Sequence, residues 1–190
     1  HAWSSAQDTA AVIKRMLQLL LPGVSVFLDV DDLDHGAGTQ YVQNSKLIVC
    51  YICKTFFKAR SAMRELLYAV KHEKRIVALM ERDRDKGGVT RNEALDMLKD
   101  AHNGGYFDNI GVSLEQAQDA LFQLDPVEWN RILIFQESAV RQIVECLLCR
   151  SVLGDQYKGA LYTKSDRSGP SILPPPTSGL TVRPSFEFVW

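Results

Sequence analysis

The stretch Pro22 to Gly36, PGVSVFLDVDDLDHG, narrows what this chain can fold into more than any other. Pro22 and Gly23 stop a preceding helix, because proline lacks the amide a helix interior needs and glycine leaves helical φ easily. Val24 to Val30 is then a short apolar run bounded by breakers, the pattern of a strand covered on both faces. It leads into four carboxylates, Asp29, Asp31, Asp32 and Asp34, before His35 and Gly36 end the run. Unpaired charge does not stay in a buried layer, so the acids mark the strand's exit at the C-terminal edge of a sheet. In open α/β sheets that edge is where ligands bind.

The remainder alternates in a way that builds such a sheet. Ser4 or Ser5 reads as the N-cap of a helix to about Leu21, with Val12, Ile13, Met16, Leu17, Leu20 and Leu21 as its apolar stripe. Gly36 to Ser45 is polar, with room for one or two helical turns. Lys46 to Cys53 reads as a second strand, Phe56 to His72 as an amphipathic helix, and Arg75 to Met80 as a third strand. A charged loop, Glu81 to Val89, follows. Thr90 with Glu93, and Ser113 with Gln116, have capping-box spacing for helices to about Ala101 and Leu124. Arg131 to Phe135 reads as a fourth strand, and Ser138 as the cap of a last helix to about Val152. Strands alternating with helices argue for an α/β fold, a parallel sheet with helices on both faces. Beyond Leu153 the composition shifts: five of the seven prolines lie between Gly169 and Pro184. That is linker or tail composition. Phe186-Glu-Phe188-Val-Trp190 alternates weakly and reads as the start of something that lies beyond this chain. The expected organisation is therefore a domain over 1–152 and a Ser/Gly/Pro-rich tail over 153–190.

A hydrophobic fraction of 46% supplies a core, and a net charge of −1 gives no reason to expect nucleic acid or an anionic membrane as partner. No apolar stretch is long enough to span a bilayer. The chain opens on His1 rather than Met and reads as a piece of something longer. Two Cys-x-x-Cys pairs, Cys50/Cys53 and Cys146/Cys149, raise the question of zinc. Residues three apart on a strand face opposite sides, which is wrong for joint ligation by Cys50 and Cys53. The other pair lies in an apolar helical stretch. Buried free thiols are the expectation, and reduced thiols suit the cytoplasm.

Two constellations carry chemistry. Asp29 and Asp31 after an apolar strand have the Asp-x-Asp form by which aspartate phosphatases hold Mg²⁺, with Lys46 and Lys54 available nearby. The surface alternative is a solvated strand exit. On the helix from Phe56, Glu65 sits at the edge of the apolar stripe. By period alone it is a boundary residue, paired on the surface with Lys58, Arg64 or Lys71.

Ala2 to about Val152 resembles a Toll/interleukin receptor (TIR) domain. His1-Ala-Trp-Ser-Ser-Ala-Gln-Asp8 is similar to the continuation of the family's first box, with its strand absent. Val26 to Asp34 is similar to the second strand and the start of the BB loop, whose glycine falls at Gly36. Lys46 to Cys53 matches the third strand. Arg60 to Leu66 resembles the helix motif Ser-x-Trp-Cys-x-x-Glu-Leu, and Trp129 to Gln136 the late tryptophan box. The chain departs from the helix motif at Ala59, Ser61 and Ala62, so that Ser61 stands where the family has tryptophan.

The resemblance implies a flavodoxin-like sheet of order 2-1-3-4-5, its central first strand missing. In the family's enzymatic branch the glutamate matching Glu65 cleaves NAD⁺ at the nicotinamide–ribose bond. Glu65 is thus the implied catalytic residue, with Trp3, Asp34, Gly36 and Ser61 lining the substrate pocket and His1 at its edge. NAD⁺ is the substrate, and no metal or added cofactor is implied. The alternative within the family is a non-catalytic signalling module that assembles with other TIR domains, itself included. The Mg²⁺-dependent phosphatase built on Asp29 and Asp31 stands outside it.

Overall fold

The computed structural model describes residues 3–21, 23–28, 38–148 and 185–189. In chain order they form α1 (Trp3–Leu20), β1 (Ser25–Leu28), α2 (Gly38–Asn44), β2 (Leu47–Ile52), α3 (Arg60–Lys71), β3 (Arg75–Glu81), α4 (Arg91–Asn103), α5 (Leu114–Phe122), β4 (Val127–Trp129), α6 (Leu133–Leu148) and β5 (Ser185–Val189). The strands make one sheet in the order β1-β5-β2-β3-β4, every neighbouring pair parallel. The architecture is α/β and flavodoxin-like. Counting β5 as the first strand, the order reads 2-1-3-4-5.

The central strands are apolar throughout because both their faces are covered. All six residues of β2 are buried, and β3 is buried from Ile76 to Glu81. Each Leu, Ile or Val so placed contributes about 1.5–3 kcal/mol of transfer free energy. On one side α1 packs on β1 and against α6, which also covers β4. Elsewhere α3 packs against α2 and α5, and α5 against β3. The buried residues of α1, among those whose burial is described, are Thr9, Ala10, Ile13 and Leu17, continued by Leu21 just past the helix end. Val12, expected in that stripe, is 39% exposed: the 3.6-residue period carries it off the face centred on Ile13.

Local signals in the middle of the chain are realised closely. Thr90 and Glu93 form a reciprocal capping box at α4, and Ser113 and Gln116 form another at α5. The helix expected from Phe56 to His72 is divided. Phe56–Lys58 is a 3-10 turn, and extended Ala59 separates it from α3. Ser4 and Ser5, expected to cap α1, lie inside it.

Two expectations are corrected. The fourth strand is Val127–Trp129, not Arg131 to Phe135. The Asn130 side chain accepts a hydrogen bond from the Ile132 amide at 2.9 Å, and the amides of Phe135 and Gln136 bond back to the Ile132 carbonyl. The chain therefore turns into α6 where an apolar run had suggested a strand, and Ser138 lies within that helix rather than capping it. The second correction concerns the tail. Residues 185–189 are not outside the sheet but in its interior, between β1 and β2. A parallel strand there satisfies backbone groups on both neighbours that would otherwise be buried unpaired.

Candidate functional site

In a parallel sheet with helical crossovers, each helix runs back against its strand. The N-termini of α1 and α3 thus both lie at the C-terminal edge of the sheet. Glu65 is the sixth residue of α3, about 7 Å along it from that edge. It is 9% exposed, one of four buried polar or charged residues among those described. The surface-paired glutamate expected from the period is therefore corrected: Ala62, Met63, Leu66 and Leu67 on either side of it face the core and carry it inward. Ser61, one turn earlier on α3 and hence on neighbouring surface, is exposed.

A shallow cavity of about 150 Å³ flanks the same helix, lined by Arg60, Met63, Arg64, Tyr106 and Ile110 and by the Gly104–Gly105 turn. The Arg60 guanidinium lies 5.5 Å from the centre of the Tyr106 ring. Tyr106 donates to the Lys58 carbonyl at 3.2 Å, which ties the turn after α4 to the entrance of α3. Two guanidinium groups thus line this cavity, on a flank of α3 turned away from Glu65.

Of the other site residues expected from sequence, Trp3 is the first residue of α1. It lies at the same edge of the sheet as the start of α3, on a helix that packs with α6 rather than with α3. His1, Asp34 and Gly36 lie outside the described residues, as do Asp29 and Asp31 of the alternative Mg²⁺ site. Among the described residues no three His, Cys, Asp or Glu side chains gather as metal ligands. Cys50 and Cys53 are buried free thiols, with Cys53 Sγ 3.2 Å from the Thr55 hydroxyl.

A second carboxylate at this edge was not singled out from sequence. Glu81 ends β3 and is fully buried. Its Oε2 accepts hydrogen bonds from the Tyr51 hydroxyl and from Arg131 Nη2, the latter at 2.9 Å. Its Oε1 accepts from the Asp83 amide at 2.8 Å. Arg131 Nη2 also lies 3.4 Å from the hydroxyl of buried Thr9, and its Nε lies 3.8 Å from Asp83. The cluster thus joins β2, β3, the turn after β4 and α1. Burial, and then the bond to Glu81, hold the Tyr51 phenol well above its ordinary range. Fully buried and with three donors on its two oxygens, Glu81 is built to hold structure. The readable signal was a glutamate in register directly after the buried run Ile76 to Met80.

Comparison with protein-family models, with curated proteins and with solved structures finds no match. Among the described residues, no helix is long and apolar enough to cross a membrane.

Proposed function

We propose that this chain is a TIR-type domain that cleaves NAD⁺ at the nicotinamide–ribose bond, with Glu65 as the catalytic carboxylate. The observation that carries the reading is the burial of Glu65 on α3, near the ligand-binding edge of a sheet ordered 2-1-3-4-5. A largely desolvated carboxylate interacts more strongly with developing positive charge than a hydrated one does.

The chemistry asks little more of the protein. Nicotinamide leaves as a neutral molecule, taking the electron pair of the C1′–N bond, and the ribose develops oxocarbenium character. Glu65 stabilises that charge or holds the ribose hydroxyls, and water attacks C1′ and gives up a proton. The products are nicotinamide, ADP-ribose and a proton. Ser61 leaves room where the resembling family has a tryptophan. Any aromatic wall for the nicotinamide must then come from another element, and Trp3 is the candidate.

A second reading has its own observation. Ile132, Leu133, Ile134 and Phe135 are each more than half exposed at the start of α6. A contiguous apolar run on the surface is characteristic of an interaction site, and it favours an assembly module that engages other TIR domains. One experiment addresses both readings. Concentrated protein is incubated with NAD⁺ and nicotinamide release is followed chromatographically, beside Glu65→Gln and Phe135→Lys. Release lost in Glu65→Gln supports the enzyme. No release from folded wild-type protein, whether or not it self-associates, sinks it. Self-association that Phe135→Lys abolishes then leaves the assembly module.

A further inference from the structure

The sheet has an unusual construction. β1 and β2 do not pair with each other; β5 joins them, Val26 pairing with Phe186 and Val49 with Phe188. The strand that holds the two halves together is reached only after α6, through residues 149–184. We propose that the slot between β1 and β2 is a strand-exchange interface, whose partner is residues 185–189 of a second copy of this chain.

Geometry supports the inference. Helix α6 follows β4 and runs back along it, so its last residue, Leu148, lies near the N-terminal edge of the sheet, where β5 begins opposite Ser25. Three strand spacings and one layer separate the two points, a span of roughly 20 Å. Residues 149–184 reach roughly 120 Å when extended. The connection is several times longer than its own slot requires, so it reaches the slot of a neighbouring copy without strain. Exchange is also nearly neutral in contacts. A β5 inserted from a second copy makes the same backbone ladder on both sides, which is how an added strand gains its affinity. What separates the two states is the effective concentration of the tethered strand, on the order of millimolar.

The register supplies a trap. Cys50 on β2 is the pairing partner of Val189. Adjacent strands lie about 4.8 Å apart, within the Cα separation of disulfides. The test uses the full chain carrying Val189→Cys together with Cys53→Ala, Cys146→Ala and Cys149→Ala. Light and heavy isotope forms are mixed, unfolded, refolded together at rising concentration and then oxidised. The peptide joining residues 50 and 189 is read by mass spectrometry, and the oligomeric state by light scattering. The expected result is a mixed-isotope crosslink that is rare at micromolar protein and rises toward about a quarter of all crosslinks near millimolar, half of the intermolecular ones. Crosslinks that stay within one isotope form at every concentration overturn the proposal.

A second variant forces the choice. Deleting residues 150–183 leaves a connection of roughly 11 Å, too short for its own slot, so the expected species is a dimer or closed ring with only intermolecular crosslinks. A folded monomer with an intramolecular crosslink overturns the proposal equally. Neither readout depends on enzymatic activity.

Discussion

Glu65 and Glu81 are both buried carboxylates toward the same end of the sheet, and they differ in what surrounds them. Glu81 closes a strand, is fully buried and accepts hydrogen bonds from Tyr51, Arg131 and the Asp83 amide. Glu65 lies on a helix whose N-terminus reaches the C-terminal edge of the sheet, and it retains a little exposure. Burial alone does not distinguish a structural acid from a reactive one. Its place in the fold and its residual access to solvent do.

The contrast is sharpest if each is replaced. Glu65→Gln should lower nicotinamide release by about 10²–10⁴-fold, the usual contribution of a positioned acid–base group, while shifting the melting temperature little. Glu81→Ala should do the reverse, costing about 1–3 kcal/mol in denaturant midpoints, because it leaves the buried Tyr51 hydroxyl without its acceptor, while solvent offsets most of the loss at exposed Arg131. A large stability loss at Glu65 with activity retained would invert the assignment.

Tyr51→Phe removes one donor from Glu81 and should cost about 1–2 kcal/mol. It should also change the alkaline limb. A phenol raised on folding contributes stability that is complete below its ordinary value near 10 and is lost as pH rises beyond it. Wild type should therefore weaken above pH 10 more steeply than Tyr51→Phe, as followed by circular dichroism. The smallest effect belongs to an exposed acid. Glu93 is lowered to about 2, first by the Thr90 amide and then by Arg84. Its contribution is present above the usual glutamate range and fades as pH falls toward 2. Glu93→Gln should flatten the acid limb in that window, and titration of the Glu93 carboxyl by NMR checks the value directly.

How much of this was legible in the sequence follows from the range of each interaction. Capping boxes at Thr90 and Ser113 span four residues, and both were readable. The buried strands Leu47–Ile52 and Arg75–Glu81 announce themselves as apolar runs. Arg131 to Phe135 misled because a run of Ile, Leu, Ile and Phe is what a strand looks like, whereas the true strand is three residues long and a turn held by the Asn130 side chain follows it. The bond between Glu81 and Arg131 joins residues 50 apart, and no local pattern encodes it. Glu65 was singled out through a resemblance. Its burial depends on how α3 rolls against α2 and α5, which period alone left at a boundary.

The position of β5 also bears on how the molecule is made. A ribosome exports every other element before it, and at about 5–20 residues per second several seconds separate α6 from β5. Until then β1 and β2 have no strand between them, and each presents an open backbone edge. The nascent domain waits with its sheet in two parts, the state most exposed to pairing with the wrong strand and most dependent on a chaperone.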